Sequence, residues 1–271
     1  MRVVVVIELL FVACGWSIAQ ECFQWGVQPG MHLRYEVEAY DTVTFDGQPT
    51  LFRHRNERWL VVCDSSRGDT LHLSQRLELF EAREVTSDGD SSMRTGLPAI
   101  GHAVHIAMTR RGQRLSVEPL PTRQLSILPG GTFGPVLLLP LDSFCTKCGR
   151  LQWISEQQDT TVEYAFPPPT IERMFIATVD SCTADGTPLR ITFAETSRGV
   201  HVLRTERFAL QTVAWILANG VVMLDPDDHV PRSIAYSQHI RFSAKHDDDH
   251  SPRYGQQRTA LHIRLVQSGN H

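Results

Sequence analysis

The sequence predicts an all-β fold: two similar curved antiparallel sheet units, half-barrel or sandwich-like in form, after an N-terminal signal peptide. Three observations predict it. Short stretches alternate apolar and polar residues along the whole chain, the period-two pattern of a strand with one buried face. Gly, Asp and Pro interrupt these stretches where turns are needed. No segment sustains the 3.6-residue period of a long amphipathic helix.

The chain has 271 residues, 42% hydrophobic and 21% charged, which is globular composition in an amount that suits one large β domain or two sharing a core. A net charge of −4 gives no basic field for nucleic acid. The positive charge is almost all arginine, spread along the chain, with lysine only at Lys147 and Lys245.

"MRVVVVIELLFVACGWSIAQ" has a basic start, an apolar run from Val3 to Ala13, and Ser17-Ile18-Ala19 as small residues before a cut after Ala19. That is the layout of a signal peptide, residues 1–19, in a run too short and interrupted for a membrane span. Glu8 departs from the pattern. "FVAC" offers a second reading, a lipid anchor at Cys14, and "VVVVIELLF" a third, a buried first strand. Export takes precedence, to the periplasm, cell envelope or exterior, with no transmembrane span in the mature chain.

Strands are expected at Leu33–Tyr40, Arg58–Asp64, Leu71–Ala82 and Ala103–Thr109. Others are expected at Leu151–Gln157, Arg173–Asp180, Leu189–Glu195, Thr212–Ala218 and Ala260–Gln267. "ERFALQTVAWILANG", Glu206–Gly220, comes nearest to a helix, and its Asn219-Gly220 end suits a helix cap or a hairpin turn. Its β-branched and aromatic content favours a strand.

The halves are patterned alike. Gly30 precedes Tyr35 as Gly149 precedes Trp153; Glu57-Arg58 and Glu172-Arg173 each open an apolar stretch, and each stretch runs into an Asp/Gly loop. The implied division is a first β unit at 20–127, a Gly/Pro-containing linker with a Cys-x-x-Cys pair at 128–148, and a second β unit at 149–271.

With these strand starts, the segment "GVVMLDPDDHVPRSIAYSQHIRF" (Gly220–Phe242) and the closing strand, the chain resembles exported bacterial half-barrel proteins, the lipoprotein carriers of the LolA and LppX type. The resemblance implies a strongly curved antiparallel sheet whose concave face holds acyl chains. It names no individual lipid contact.

Few residues point to chemistry. Cys145 and Cys148 have the spacing of a zinc half-site, a redox pair or a plain disulfide. No second pair is near, and a strand-like stretch follows instead of a helix N-terminus, so a disulfide is the leading reading in an oxidising compartment. Cleavage after Ala19 leaves five cysteines, and Cys63 with Cys182 would then staple the two halves. His246, Asp247, Asp249 and His250, in "KHDDDH", are candidate metal ligands, although consecutive aspartates on an extended loop point apart. "DPDDH" (Asp225–His229) and "RGD" (Arg67–Asp69) read as turns. Nucleophile and phosphate-loop motifs are absent, and His72, His102 and His105 fall on strand-like stretches.

The expected function is therefore that of an exported, non-enzymatic envelope protein without a cofactor. It would bind a lipid or other apolar ligand, or another envelope protein, on a concave sheet. Two alternatives stand beside it: a thiol–disulfide or metal-binding protein acting through the Cys-x-x-Cys pair, and a structural surface-assembly domain.

Overall fold

The computed structural model describes residues 24–96, 100–117, 152–159, 170–184, 187–204, 209–246 and 251–270. Among them are twelve strands and no helix, so no helix of the described residues is long and apolar enough to cross a membrane. The first six strands are β1 (Met31–Phe45), β2 (Gln48–Arg67), β3 (Thr70–Thr86), β4 (Ser91–Thr95), β5 (Ala103–Thr109) and β6 (Arg114–Val117). The others are β7 (Gln152–Asp159), β8 (Thr170–Cys182), β9 (Pro188–Arg204), β10 (Ala209–Leu224), β11 (Pro231–His246) and β12 (Arg253–Asn270).

All twelve belong to one sheet in the order β6-β5-β3-β2-β1-β12-β11-β10-β9-β8-β7, with β4 also pairing β3. Every pairing is antiparallel. The all-β expectation therefore holds, and the sheet is open rather than a closed barrel. The two halves are not two sheets: β1 and β12 pair along their whole length, from Met31 opposite Asn270 to Phe45 opposite Gly255.

The sheet curls strongly. Trp25 donates its backbone N–H to the Arg110 carbonyl at the β5–β6 turn, 2.8 Å away. Its neighbour Gly26 lies so close to the β10–β11 turn that an added Cβ would sit 1.7 Å from the Asp228 carbonyl oxygen. In a flat sheet, β5 and β10 would be six strand spacings apart, about 29 Å. Adjacent residues can touch both turns only if the sheet bends round until they approach. The segment around Trp25 and Val27 closes that end like a strap, and the Arg110 guanidinium reinforces it by donating to the Val27 carbonyl at 3.1 Å.

One face of the curl is the core. Leu33, Tyr35, Val37 and Ala39 alternate inward on β1, and Trp59, Val61 and Cys63 on β2. They pack in one cluster with Trp25, Leu71, Phe175, Phe193, Val222, Ile234 and Ile263, so strands of both halves share it. A second, smaller cluster of Ala214, Ile216, Ile240 and Phe242, with Phe45 against it, lies toward the β1–β2 turn.

Asn219 and Gly220 do not end a strand. They continue β10, which runs to Leu224, because Gly220 lies under aromatic rings: an added Cβ would meet Tyr236 Cβ at 2.5 Å, the Ala235 carbonyl oxygen at 2.6 Å and Phe193 Cζ at 2.7 Å. Gly220→Ala is thus expected to destabilise by about 1–3 kcal/mol through overpacking. Urea unfolding checks this, and an unchanged midpoint would refute the account.

Candidate ligand trough on the solvent-facing side of the sheet

Between the two apolar clusters the core face is charged. Asp41 and Arg53 are 2% and 3% exposed, and Arg55 2%. Asp41 accepts from Arg53 Nε at 2.9 Å, Arg55 Nε at 2.7 Å, Thr259 Oγ1 at 2.7 Å and Gln257 Nε2 at 3.3 Å. Arg55 also donates to Glu57, which accepts from Trp59 Nε1 at 2.8 Å. Desolvation works against the Asp41 charge, but the two guanidiniums and the Thr259 hydroxyl outweigh it and hold the carboxyl below its usual range. Buried charges tolerate this only when paired and hydrogen-bonded. The network fastens β1 to β2 and β12, and with every Asp41 bond directed inside the sheet it anchors the fold.

The opposite face should be polar, since it meets water. Over β9 to β12 and β1 it also carries large exposed apolar and aromatic side chains. Trp215 is 47% exposed, Leu217 53%, Tyr40 51% and Tyr254 63%. They border two adjoining cavities of about 660 and 610 Å³, which share Thr196, Leu217 and His239. Register explains the shape. One cross-strand row runs Ala194, Asn219, Ser237, Ala260 and Tyr40, mostly short side chains beside one tall ring. The next runs Thr196, Leu217, His239, Arg258 and Thr42. The third runs Arg198, Trp215, Arg241, Gln256 and Thr44. The short side chains of the first row form the floor of one cavity, with Tyr40 at its β1 end, and Trp215 borders the other cavity beyond the row of Leu217, His239 and Arg258.

The walls are held in place. Tyr40 donates its hydroxyl to Glu38 Oε1 at 2.6 Å and stacks on His54 with ring centroids 4.5 Å apart. The Tyr40 hydrogen bond, seconded by that of His54, lowers the Glu38 pKa, and the same bond raises that of the Tyr40 hydroxyl. The Arg198 guanidinium lies over the Trp215 ring, 6.0 Å from its centroid. At the open end, Tyr254 is pinned by backbone hydrogen bonds to Asp46, whose carboxylate also takes Arg253 at 3.0 Å.

Sequence reading did not single out this trough, although "TVAWILA" carried the signal. Both alternations there are apolar, Val213, Trp215 and Leu217 on one face and Ala214, Ile216 and Ala218 on the other, which a strand with a single buried face does not need.

Of the residues singled out for chemistry, Cys63 and Cys182 are described and do not line the trough. Cys145, Cys148, Asp247, Asp249, His250, Cys14 and residues 1–19 lie outside the described residues, and His246 is described only as the end of β11. Cys63 is a free thiol buried in the core, so it does not pair with Cys182, which is itself disulfide-bonded. The two sit on β2 and β8, six strand positions apart in the sheet. Burial pushes the Cys63 thiol pKa up, against a smaller lowering from Arg110. Among the described residues no cluster of His, Cys, Asp and Glu could hold a metal ion. "DPDDH" is a turn whose carboxylates serve its own backbone: Asp225 Oδ1 accepts from Asp227 N at 2.9 Å and Asp228 Oδ1 from Val230 N at 3.2 Å. Gly68 of "RGD" has φ 59°, the left-handed value of the β2–β3 turn.

No protein-family model matches the chain. No curated protein matches it either. Among solved structures it is similar to "Lipid-protein interactions in lipovitellin", with a TM-score of 0.48 and 10% identity over 90% of this chain and 26% of that one. The chain thus spans about a quarter of that structure's length. A likeness of this size assigns no family, and no comparison bears out the resemblance to the lipoprotein carriers. The concave face on which that resemblance placed acyl chains is packed, at its strapped end, with Trp25, Tyr35, Trp59 and their neighbours.

Proposed function

We propose that this chain is an exported, non-enzymatic binding protein that holds a lipid or similar amphipathic molecule in the trough over β9 to β12 and β1. The observation that carries the reading is the group of exposed apolar and aromatic side chains, Tyr40, Trp215 and Leu217, that line two adjoining cavities on the face the core does not use. Contiguous exposed apolar surface of this kind marks binding sites. Cavities of this size suit small-molecule ligands. The signal-peptide layout of residues 1–19 supports export.

Protein recovered from an exporting host is expected to carry solvent-extractable lipid, with a fall in native mass on delipidation. Leu217→Glu places a carboxylate where the apolar part of the ligand would lie and should cut lipid retention by about tenfold or more. Because Leu217 is exposed, its unfolding free energy should move by no more than about 0.5 kcal/mol. Protein that is free of lipid, or a Leu217→Glu variant that retains lipid as well as the parent, would overturn the proposal.

A further inference from the structure

The trough is lined by Arg241 and Arg258, which no described carboxylate neutralises. Many other described guanidiniums are matched, Arg34 with Glu78, Arg53 and Arg55 with Asp41, Arg253 with Asp46 and Arg264 with Glu36, although Arg67, Arg76, Arg83, Arg94 and Arg232 pair with no described carboxylate. Arg241 and Arg258 form no ion pair with any described residue, and Arg198 lies over the Trp215 ring. The carboxylates nearest the trough are already committed. Glu38 takes Tyr40 and His54, Glu195 accepts from Ser197 Oγ at 2.9 Å, and Asp46 takes Arg253. Arg241 and Arg258, without a described carboxylate partner, therefore stand beside the exposed Trp215 and Leu217.

The register brings two of these charges together. Arg258 stands opposite His239 and Arg241 opposite Gln256, so they are diagonal neighbours on one face of β11 and β12. Such neighbours lie about 7 Å apart, within reach of long side chains. A single carboxylate or phosphate between them can accept from both, the pairing for which guanidinium geometry is suited. Gln256 does not compete for that place, because its Oε1 is turned to His239 Nε2 at 2.9 Å. Beside them on the adjacent β10, Trp215 stands opposite Arg241 and Leu217 opposite His239, an apolar track alongside the two charges.

Resting on the reading of the trough as a ligand site, we infer that it selects an anionic amphiphile, with its head group held between Arg241 and Arg258 and its chain along Leu217 and Trp215. Charge complementarity decides the class: a neutral or cationic head would leave both guanidiniums without a partner. At this exposed site the selection weakens as salt screens it.

The test uses the delipidated mature protein and three probes below their micellar concentrations: dodecyl phosphate, dodecyl maltoside and inorganic phosphate. Affinities are measured by calorimetry at low salt and at about 150 mM, where the screening length is about 8 Å. Dodecyl phosphate is expected to bind about tenfold more tightly than dodecyl maltoside at low salt, a difference of about 1.4 kcal/mol. The Arg241→Gln/Arg258→Gln double variant should erase that difference and leave the maltoside affinity unchanged, and salt should narrow it in the parent. Equal affinities for the two dodecyl probes, or a preference that survives the double substitution, would overturn the anionic selection while leaving the proposed function standing. Inorganic phosphate binding as tightly as dodecyl phosphate would overturn the amphiphile. Failure of both dodecyl probes to bind would remove the proposed function as well.

Discussion

Replacing Asp41 by asparagine is expected to cost about 3 kcal/mol of unfolding free energy, the low end of the range for breaking a buried ion pair. The substitution keeps the shape and removes the charge that Arg53 and Arg55 both lean on. Arg55 keeps Glu57, and Arg53 keeps Glu84 at 3.4 Å, so the loss stays below the full penalty of two bare guanidiniums. The pH dependence carries the sharper signature. A carboxyl whose folded pKa lies below its ordinary 3.8 contributes stability that is complete above that value and is lost as pH falls through the folded one. Wild type and Asp41→Asn should therefore differ most near neutrality and converge in acid below about 3.8. Urea midpoints measured from pH 7 to pH 2 check this. A constant gap across that range would mean that the lost stability came from packing, not from charge.

Trp25→Ala should cost about 3–5 kcal/mol, the usual loss for an indole removed from a core. Trp25 is 1% exposed, sits in the main cluster, and is tied through its backbone to the β5–β6 turn. Removing it leaves a cavity at the strapped end and loosens the segment that bridges the two sides of the curl. Trp25→Phe should lose less, since it keeps a ring and part of the volume. The trough lies on the opposite face, so ligand affinity per folded molecule should be nearly unchanged. Chemical denaturation and ligand titration on the same samples separate the two effects. A loss of stability below about 1 kcal/mol would show that the indole is not part of the core.

Much of this was legible in the sequence. "AVHIAMT" gives Ala103–Thr109 with its observed bounds, because alternation on a half-buried strand is a local property. Strands β4 and β6 escaped for the converse reason: "SSMRT" is exposed at every position and carries no period. The Asn219-Gly220 pair has the local chemistry of a turn, yet its glycine answers to the rings of Phe193 and Tyr236, which only the folded sheet places over it. "RHRNE" alternates charges that the usual rule would send to water, and they face inward because Asp41 and Thr259, the latter 218 residues from its partner, wait on neighbouring strands. The trough is of the same kind. Each of its residues looks like an ordinary strand position until the register lines up rows from β9, β10, β11, β12 and β1.

The pairing of β1 with β12 bears on how the protein is made. The middle of the sheet joins residues 31–45 to 253–270, so the ladder that unites the two halves has to wait for nearly the last of these residues to be synthesised. Until then each half presents a raw hydrogen-bonding edge, at β1 on one side and at β11 on the other, and exposed edges of that sort invite pairing with other chains. Closing a ladder between segments so distant in sequence is also slow. Nascent chains cut short before residue 253 should therefore be kept in solution only by a chaperone.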